Sequence, residues 1–273
     1  MSARRESVLR EMGLTPLWRQ RSRASACAQN ELAECSVARE EDCAGSGILV
    51  ETTAFTPEPR VLEPALVAQA TPSACPSIGT DARVARIAGA QWEELEREIR
   101  ACTACRLCEQ RRQAVPGVGD RQGPWMLVGE APGSEEDRRG EPFVGQAGKL
   151  LDAMLAAIGL VRGEGVYIAN TVKCRPPLNR TPAADEIAAC LPFLERQIRL
   201  IQPRILIALG RPAAETLLGM EVRINAARGK EFSYDQIPVV VTYHPAYLLR
   251  NPADKCKAWE DLCRARRLMA RRA

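Results

Sequence analysis

The chain has 273 residues, 46% of them hydrophobic and 26% charged, enough for one sizeable core with material left over. No apolar run approaches the roughly 20 residues of a membrane helix, and the charged start MSARRESVLREMG has no apolar signal core, so neither membrane insertion nor secretion is expected and the chain reads as cytoplasmic. The net charge of +4 is unevenly spread: residues 1–95 carry 10 basic and 13 acidic side chains and residues 96–273 carry 28 and 21, a basic half that fits a polyanionic partner.

Within residues 1–20, positions 4–19 read as a short amphipathic helix, with Val8, Leu9, Met12, Leu14 and Leu17 near helical spacing. Such a helix can dock on the main domain or recruit a partner. Residues 21–90 are rich in Ala, Ser, Thr, Pro and Glu without sustained periodicity, and are read as a flexible, largely disordered linker. Cys27, Cys35, Cys43 and Cys75 fall here at irregular spacing.

Order is expected to resume near Gln91 and to fill residues 91–273 as one domain. WEELEREIRAC reads as a helix with Trp92, Leu95 and Ile99 on one face, and it leads into Cys102-Thr-Ala-Cys105-Arg-Leu-Cys108. After a loop containing VPGVGD comes a short apolar strand, Trp125 to Val128. It breaks into Gly129-Glu130-Ala131-Pro132-Gly133, a turn that neither helix nor strand continues through. A strand ending this way presents backbone N–H groups and a carboxylate at the carboxyl edge of a sheet, where α/β proteins bind ligands. Gln146 to Ile158 reads as a helix. Val166 to Ala169 is a second strand, delivering Asn170 to the rigid basic loop TVKCRPPLNRTP. A helix over 183–201 holds Cys190. Ile205 to Leu209 is a third strand, Pro212 to Leu218 a helix, and Pro238 to Thr242 a fourth strand ending in TYHPAYLLR. A basic helix from about Ala253 closes the chain.

Strands that are continuously apolar and alternate with helices predict a parallel sheet covered on both faces. The ends of three of them carry Glu130, Asn170 and His244. In a parallel sheet these ends share one edge, so three polar groups from distant sequence meet in one crevice.

Eleven cysteines in a cytosolic chain argue against a disulfide framework, and the single histidine, His244, excludes a histidine-rich zinc site. Cys102 and Cys105 form a C-x2-C pair, Cys174 lies in the Pro-rich loop and Cys190 in the next helix. Four thiolates from three segments suit a tetrahedral zinc or an iron–sulfur cluster, and spacing alone leaves both open. Cys108 adds a second C-x2-C spacing and is a substitute candidate.

Together these pieces resemble the family 4, iron–sulfur uracil-DNA glycosylases. The resemblance covers roughly residues 91–267 and rests on CTACRL at 102–107, VPGVG at 115–119, VGEAPGSEED at 128–137, GEPFVGQAGKLLD at 140–152, YIANTVKCRPPLNRTP at 167–182, CLPFL at 190–194 and TYHPAYLLRNP at 242–252. It implies a three-layer α/β/α fold with a four-stranded parallel sheet, and a structural [4Fe–4S] cluster on Cys102, Cys105, Cys174 and Cys190. Zinc stays the alternative metal, and Cys108 lies outside the family pattern.

The implied activity is removal of uracil from DNA by a monofunctional glycosylase acting as a monomer. A base inside a duplex must be flipped out before its glycosidic bond can be reached. Phe143 then offers a face for stacking. Asn170 offers a donor and an acceptor matching uracil O4 and N3–H. The backbone of Gly129 to Ala131 holds the opposite edge. His244 stabilises the charge developing on O2, and Glu130 orients water or stabilises the sugar cation, with Glu136 and Asn179 as further candidates. Tyr247, Leu248 and Leu249 are expected to form an apolar tip that enters the base stack, with Arg250, Lys173, Arg175 and Arg180 on phosphates. Two other readings keep the same residues in view: a non-catalytic nucleic-acid-binding module, and a redox iron–sulfur protein. The first gives no reason for the set Glu130, Phe143, Asn170 and His244, and the second gives no role to TYHPAYLLR.

Overall fold

The computed structural model describes residues 78–271. The helix and linker expected over residues 1–77 lie outside the described residues. In chain order the elements are α1 (Ile78–Gly89), α2 (Trp92–Ala101), α3 (Leu107–Gln110), β1 (Val118–Gly119), β2 (Trp125–Gly129), α4 (Ser134–Arg139), α5 (Gln146–Ala157), β3 (Val166–Asn170), α6 (Ala184–Ile201), β4 (Ile205–Leu209), α7 (Arg211–Leu218), α8 (Ile224–Ala227), β5 (Phe232–Tyr234), β6 (Ile237–Thr242), α9 (Pro245–Arg250) and α10 (Lys255–Ala270).

The expected four parallel strands form the centre of the sheet, and two antiparallel edge strands extend it to six, in the order β1-β3-β2-β4-β6-β5. The two additions escape a sequence reading for different reasons. β1 is two residues long and has no pattern to read. β5 pairs with β6 through a two-residue turn at Asp235 and Gln236, both at positive φ. Such hairpin turns are normally marked by Asn-Gly or Asp-Gly, and Asp-Gln carries no such mark.

Every residue of β2, β3 and β4 is buried, and alternation decides which layer each one joins. Trp125, Leu127, Ile168, Ile205 and Ile207 pack with Leu151, Met154 and Leu155 of α5 and Leu262 of α10. Met126, Val128, Tyr167, Leu206 and Ala208 pack with Leu194 and Ile198 of α6 and Leu217 of α7. Burial on both faces is why these strands read as unbroken apolar runs.

Helix α1 corrects the expected boundary at residue 90. It is a helix where the composition predicts linker. Its buried Ile87 joins Leu95 and Ile99 of α2, Leu107 and Phe193 in a third cluster. Arginines do the remaining docking: Arg83 lies over the Phe193 ring, 4.9 Å from its centroid, and Arg86 pairs with Glu98 at 2.9 Å. With so little apolar periodicity, composition alone reads this segment as linker.

A second correction concerns TYHPAYLLR. Its last six residues, Pro245–Arg250, form helix α9, with His244 as the N-cap and Pro245 in the first turn. Successive residues of a helix point about 100° apart, so the three apolar side chains cannot share one exposed tip. Leu248 is 0% exposed and belongs to the core, while Leu249 is 43% exposed. Tyr247 stacks on Tyr243 with ring centroids 5.2 Å apart and donates its hydroxyl to Asp254 at 2.7 Å. Leu249 alone keeps the expected outward position. Leu248→Ala is therefore expected to lower unfolding stability by about 2–5 kcal/mol, and Leu249→Ala by less than about 0.5 kcal/mol, as read by urea denaturation. Equal losses would contradict this division.

Candidate active site

The chain crosses from one side of β2 to the other between β3 and β4, and the crevice expected at such a switch point opens beyond the carboxyl ends of the strands. It holds about 840 Å³ and is lined by residues from every loop leaving that edge, among them Glu130, Phe143, Asn170, Asn179, Arg211 and His244. The polar groups expected at three strand ends are thus brought together.

Asn170 ends β3 directly beside Gly129 at the end of β2. A Cβ at position 129 would collide with Asn170 Oδ1 and with the Phe143 ring, so only glycine lets the amide and the ring meet there. Asn170 is 1% exposed, and its Oδ1 is buried without a hydrogen-bond partner in the protein. A buried unpaired carbonyl of this kind costs about 1–3 kcal/mol unless a donor enters the crevice.

Phe143 is held in place with unusual force. Its φ is 55°, a conformation that non-glycine residues rarely adopt. Arg162 donates to the carbonyls of Pro142 and Phe143 at 3.0 and 2.8 Å and is itself anchored by Asp152 at 2.7 Å. Helix α5 packs so closely beneath that a Cβ at Gly148 would strike the Phe143 carbonyl. Neither Arg162 nor Gly148 carries a sequence signal of this role. Glu136 completes the brace. Its Oε1 accepts the N–H groups of Val144 and Gly145 at 2.9 and 3.0 Å, and its Oε2 accepts that of Gly133 at 3.1 Å. With three backbone donors on its two oxygens, Glu136 pins the Phe143 loop to the GEAPG turn. Its spacing of three residues from Gly133 is that of a capping side chain, a signal legible in the sequence.

His244 sits at the end of β6, its ring 5.5 Å from that of Phe143. Its Nδ1 accepts the backbone N–H of Ala246 at 3.1 Å, so a neutral ring carries its proton on Nε2. Burial, reinforced by the charge of Arg250, lowers its pKa from 6.5 to about 4. Glu130 shifts the other way. Burial raises its pKa, and a hydrogen bond from Thr181 and the charge of Arg211 offset only part of that rise.

The basic residues divide. Lys173, expected on a phosphate, is 1% exposed. Its Nζ donates to the carbonyl of Asn170 and to Gln197 Oε1, both at 2.7 Å. Burial lowers its pKa to about 8. Arg175 donates to Asn179 Oδ1 at 2.7 Å, and Arg180 grips Glu186 with two bonds at 2.8 and 2.6 Å. Arg250 lines the crevice, joined by Arg211 and Arg223, which carry no signal of this place in the sequence.

Cys102, Cys105, Cys174 and Cys190 line one small cavity below the crevice floor, together with Cys108. Among the described residues no three His, Cys, Asp or Glu side chains close around a point as they would around a single ion. The surroundings nevertheless suit thiolates. Arg83 donates to Cys102 Sγ at 3.4 Å, Arg111 to Cys174 Sγ at 2.9 Å, and the Lys173 N–H to Cys190 Sγ at 3.3 Å. As bare thiols, Cys105 and Cys174 are pushed up by burial, and Cys190 is pushed up to about 12. A charge-accepting group bound to the sulfurs would reverse that trend, so four thiols ringed by N–H donors fit a cluster. No helix of the described residues is long and apolar enough to cross a membrane.

The family profile of the uracil DNA glycosylase superfamily matches residues 116–263. Type-4 uracil-DNA glycosylase of Pyrobaculum aerophilum is 43% identical over 178 residues, 62% of this chain and 90% of that protein. The enzymes of the same name from Archaeoglobus fulgidus and Saccharolobus solfataricus are 44% identical over 168 residues and 45% over 172. These cover 59% and 60% of this chain and 84% and 80% of theirs.

With one histidine in the chain, NMR can follow the imidazole nitrogens without ambiguity. His244 is expected to remain the neutral Nε2–H tautomer at pH 5 and to titrate near about 4. Its folded pKa lies below its ordinary 6.5, so the unfolded chain takes up the proton first. Stability held above pH 6.5 is then lost as pH falls toward about 4. A midpoint near 6.5 would contradict the burial and the Ala246 bond.

Proposed function

The chain belongs to the uracil-DNA glycosylase superfamily and, by its similarity over most of their length, to the type-4 enzymes; we propose that it removes uracil from DNA, hydrolysing the N-glycosidic bond of a flipped nucleotide and leaving an abasic site for base-excision repair. The observation that carries this reading is the buried, unpartnered Oδ1 of Asn170 beside the Phe143 ring and the Nε2 face of His244.

The amide reads the base. Oδ1 accepts from uracil N3–H and the NH₂ donates to O4. Cytosine presents an acceptor at N3 and a donor at N4, so it meets like against like on both atoms. Phe143 stacks on the base, worth about 1–3 kcal/mol. The backbone of Gly129 to Ala131 closes on the remaining edge, and Asn179 stands at the rim.

As the glycosidic bond breaks, electrons move to the base and negative charge gathers on O2. A neutral His244 meets it with Nε2–H, a donor already oriented by the bond from Ala246. Glu130 faces the sugar. As a carboxylate it stabilises the positive sugar and orients water toward C1′. Glu136, with both oxygens engaged, acts by positioning Phe143. No covalent bond to the protein is needed.

Cys102, Cys105, Cys174 and Cys190 are assigned to a [4Fe–4S] cluster, with Cys108 beside them. When bound, the cluster supplies cross-linking of distant segments, with no chemistry at the glycosidic bond. Residues 1–20 are proposed to recruit a replication or repair protein, and the enzyme is proposed to act as a monomer.

A single-uracil oligonucleotide, incubated with the protein and then treated with alkali, is expected to break at the uracil. His244→Ala or Asn170→Ala should slow single-turnover excision by about 100-fold or more. Folded wild-type protein that binds the oligonucleotide and leaves uracil in place would favour the non-catalytic binding module. The acid limb of the rate profile should fall at a pH above the ordinary Glu value of 4.5, because protonation removes the carboxylate. Glu130→Gln should lower the rate about 100-fold and leave only a limb near about 4, from His244. Anaerobically purified protein should show a band near ~400 nm with about four irons and four sulfides per chain. A colourless active protein with about one zinc would replace the cluster by zinc.

A further inference from the structure

We propose that Leu178 is a second apolar wedge, entering the base stack of duplex DNA from the side of the crevice mouth opposite helix α9 and helping to hold open the gap left by the extruded nucleotide. The proposal rests on the uracil-excision reading above.

Leu178 is 96% exposed, more than any other large hydrophobic side chain among the described residues. Single exposed leucines are ordinary, but this one is also held in an unfavourable backbone conformation. Its φ and ψ are 54° and 21°, and Asn179 follows at φ 55°. Two consecutive left-handed residues, neither of them glycine, are uncommon. The turn is nevertheless tied down on both sides. Asn179 N–H bonds to Pro176 O at 3.0 Å and Arg180 N–H to Pro177 O at 3.1 Å. Arg175 holds the Asn179 side chain, and Arg180 is locked to buried Glu186. A leucine on so rigid a mount has little backbone freedom left to lose on insertion.

Its place points to the occupant. The neighbours Asn179 and Arg180 line the crevice, and the turn hangs from β3. Helix α9, with half-exposed Leu249, follows β6. β3 and β6 are separated by β2 and β4, three interstrand steps or about 14 Å. A nucleotide entering the crevice passes between these two lips. Its departure leaves apolar base faces that a side chain from either lip can cover. Arg175, Arg180 and Arg250 flank the lips and favour a phosphodiester backbone there.

The test compares full-length wild type with Leu178→Asn and Leu178→Met. Asparagine accepts the left-handed backbone, so the turn keeps its shape and only the apolar tip is lost. Methionine keeps the tip. Single-turnover excision is measured on a matched U:A duplex and on the same sequence as a single strand, with 2-aminopurine beside the uracil reporting unstacking. Leu178→Asn should slow duplex excision about tenfold and blunt the fluorescence rise, while single-strand excision stays within about twofold and Leu178→Met restores both duplex signals. Unchanged duplex rates, or equal losses on the two substrates, would overturn the wedge. Wild-type protein inactive on both substrates would instead overturn the excision reading, and the wedge with it.

Discussion

The fold turns on a place where no side chain fits. At the ends of β2 and β3, Gly129 and Asn170 stand side by side, and the room a Cβ would take at 129 is filled by the Asn170 amide and the Phe143 ring. The parallel register sets that adjacency. The rest of the site keeps it. Gly148 lets α5 approach the Phe143 carbonyl, Arg162 and Glu136 fix the loop on either side of the ring, and Lys173 holds the Asn170 carbonyl from below. These residues act on position more than on chemistry. To read a base by one amide and one ring, as proposed, a site needs positioning of about half an ångström, which a supporting shell must supply.

Lys173 also joins the crevice to the cysteine cavity. Its backbone N–H meets Cys190 Sγ and its ammonium meets Asn170 O, so a single residue links a sulfur of that cavity to the strand end that carries the buried amide. A cluster held by the four sulfurs, as proposed, would act on that link. Cys174 and Cys190 already pack with Leu95 and Ile99 of α2 and with Leu107, and Arg111 ties Cys174 Sγ to the Arg100 carbonyl, so a group held by the four sulfurs would reinforce the start of the TVKCRPP loop. The arginines on Cys102 and Cys174 serve the same end, placing positive charge where bound thiolates would concentrate negative charge.

How much of this was legible depended on where the physics leaves a trace in composition. The four central strands were plain, since burial on both faces writes unbroken apolar runs. The edge strands were not, being too short or joined by a turn without glycine. Glu130, Asn170 and His244 were legible as polar ends of apolar strands. Lys173 was misread because a lysine between a valine and a cysteine in a basic loop looks like surface, and nothing local reveals the Gln197 and Asn170 oxygens that solvate its ammonium. Leu248 was misread although its signal was present. A histidine N-cap followed by proline opens a helix, and a helix disperses consecutive apolar residues around its axis. Arg162 left no trace, because its role exists only once α5 and the Phe143 loop have met.

The same energetics separate an enzyme from a module that merely keeps the fold. A surface evolved only to hold DNA needs charge at its rim, and Arg211, Arg223 and Arg250 supply that without help from the floor. The floor holds three costly features instead: an amide oxygen buried without a donor, a phenylalanine in a left-handed conformation, and a histidine kept neutral by burial. The first two each destabilise the free protein by about a kilocalorie on an order-of-magnitude scale, and the cost of the third appears as pH falls below 6.5. None is relieved by a phosphate. All three face the same volume, and a planar ring with a donor at one edge and a carbonyl beside it would satisfy the amide, cover the phenylalanine and receive the imidazole N–H together. A redox cluster protein has equally little use for them, since the sulfurs lie in a separate cavity and none of the three groups touches it. Local strain and unsatisfied polarity concentrated at one point are what a site looks like when its structure is completed by the ligand.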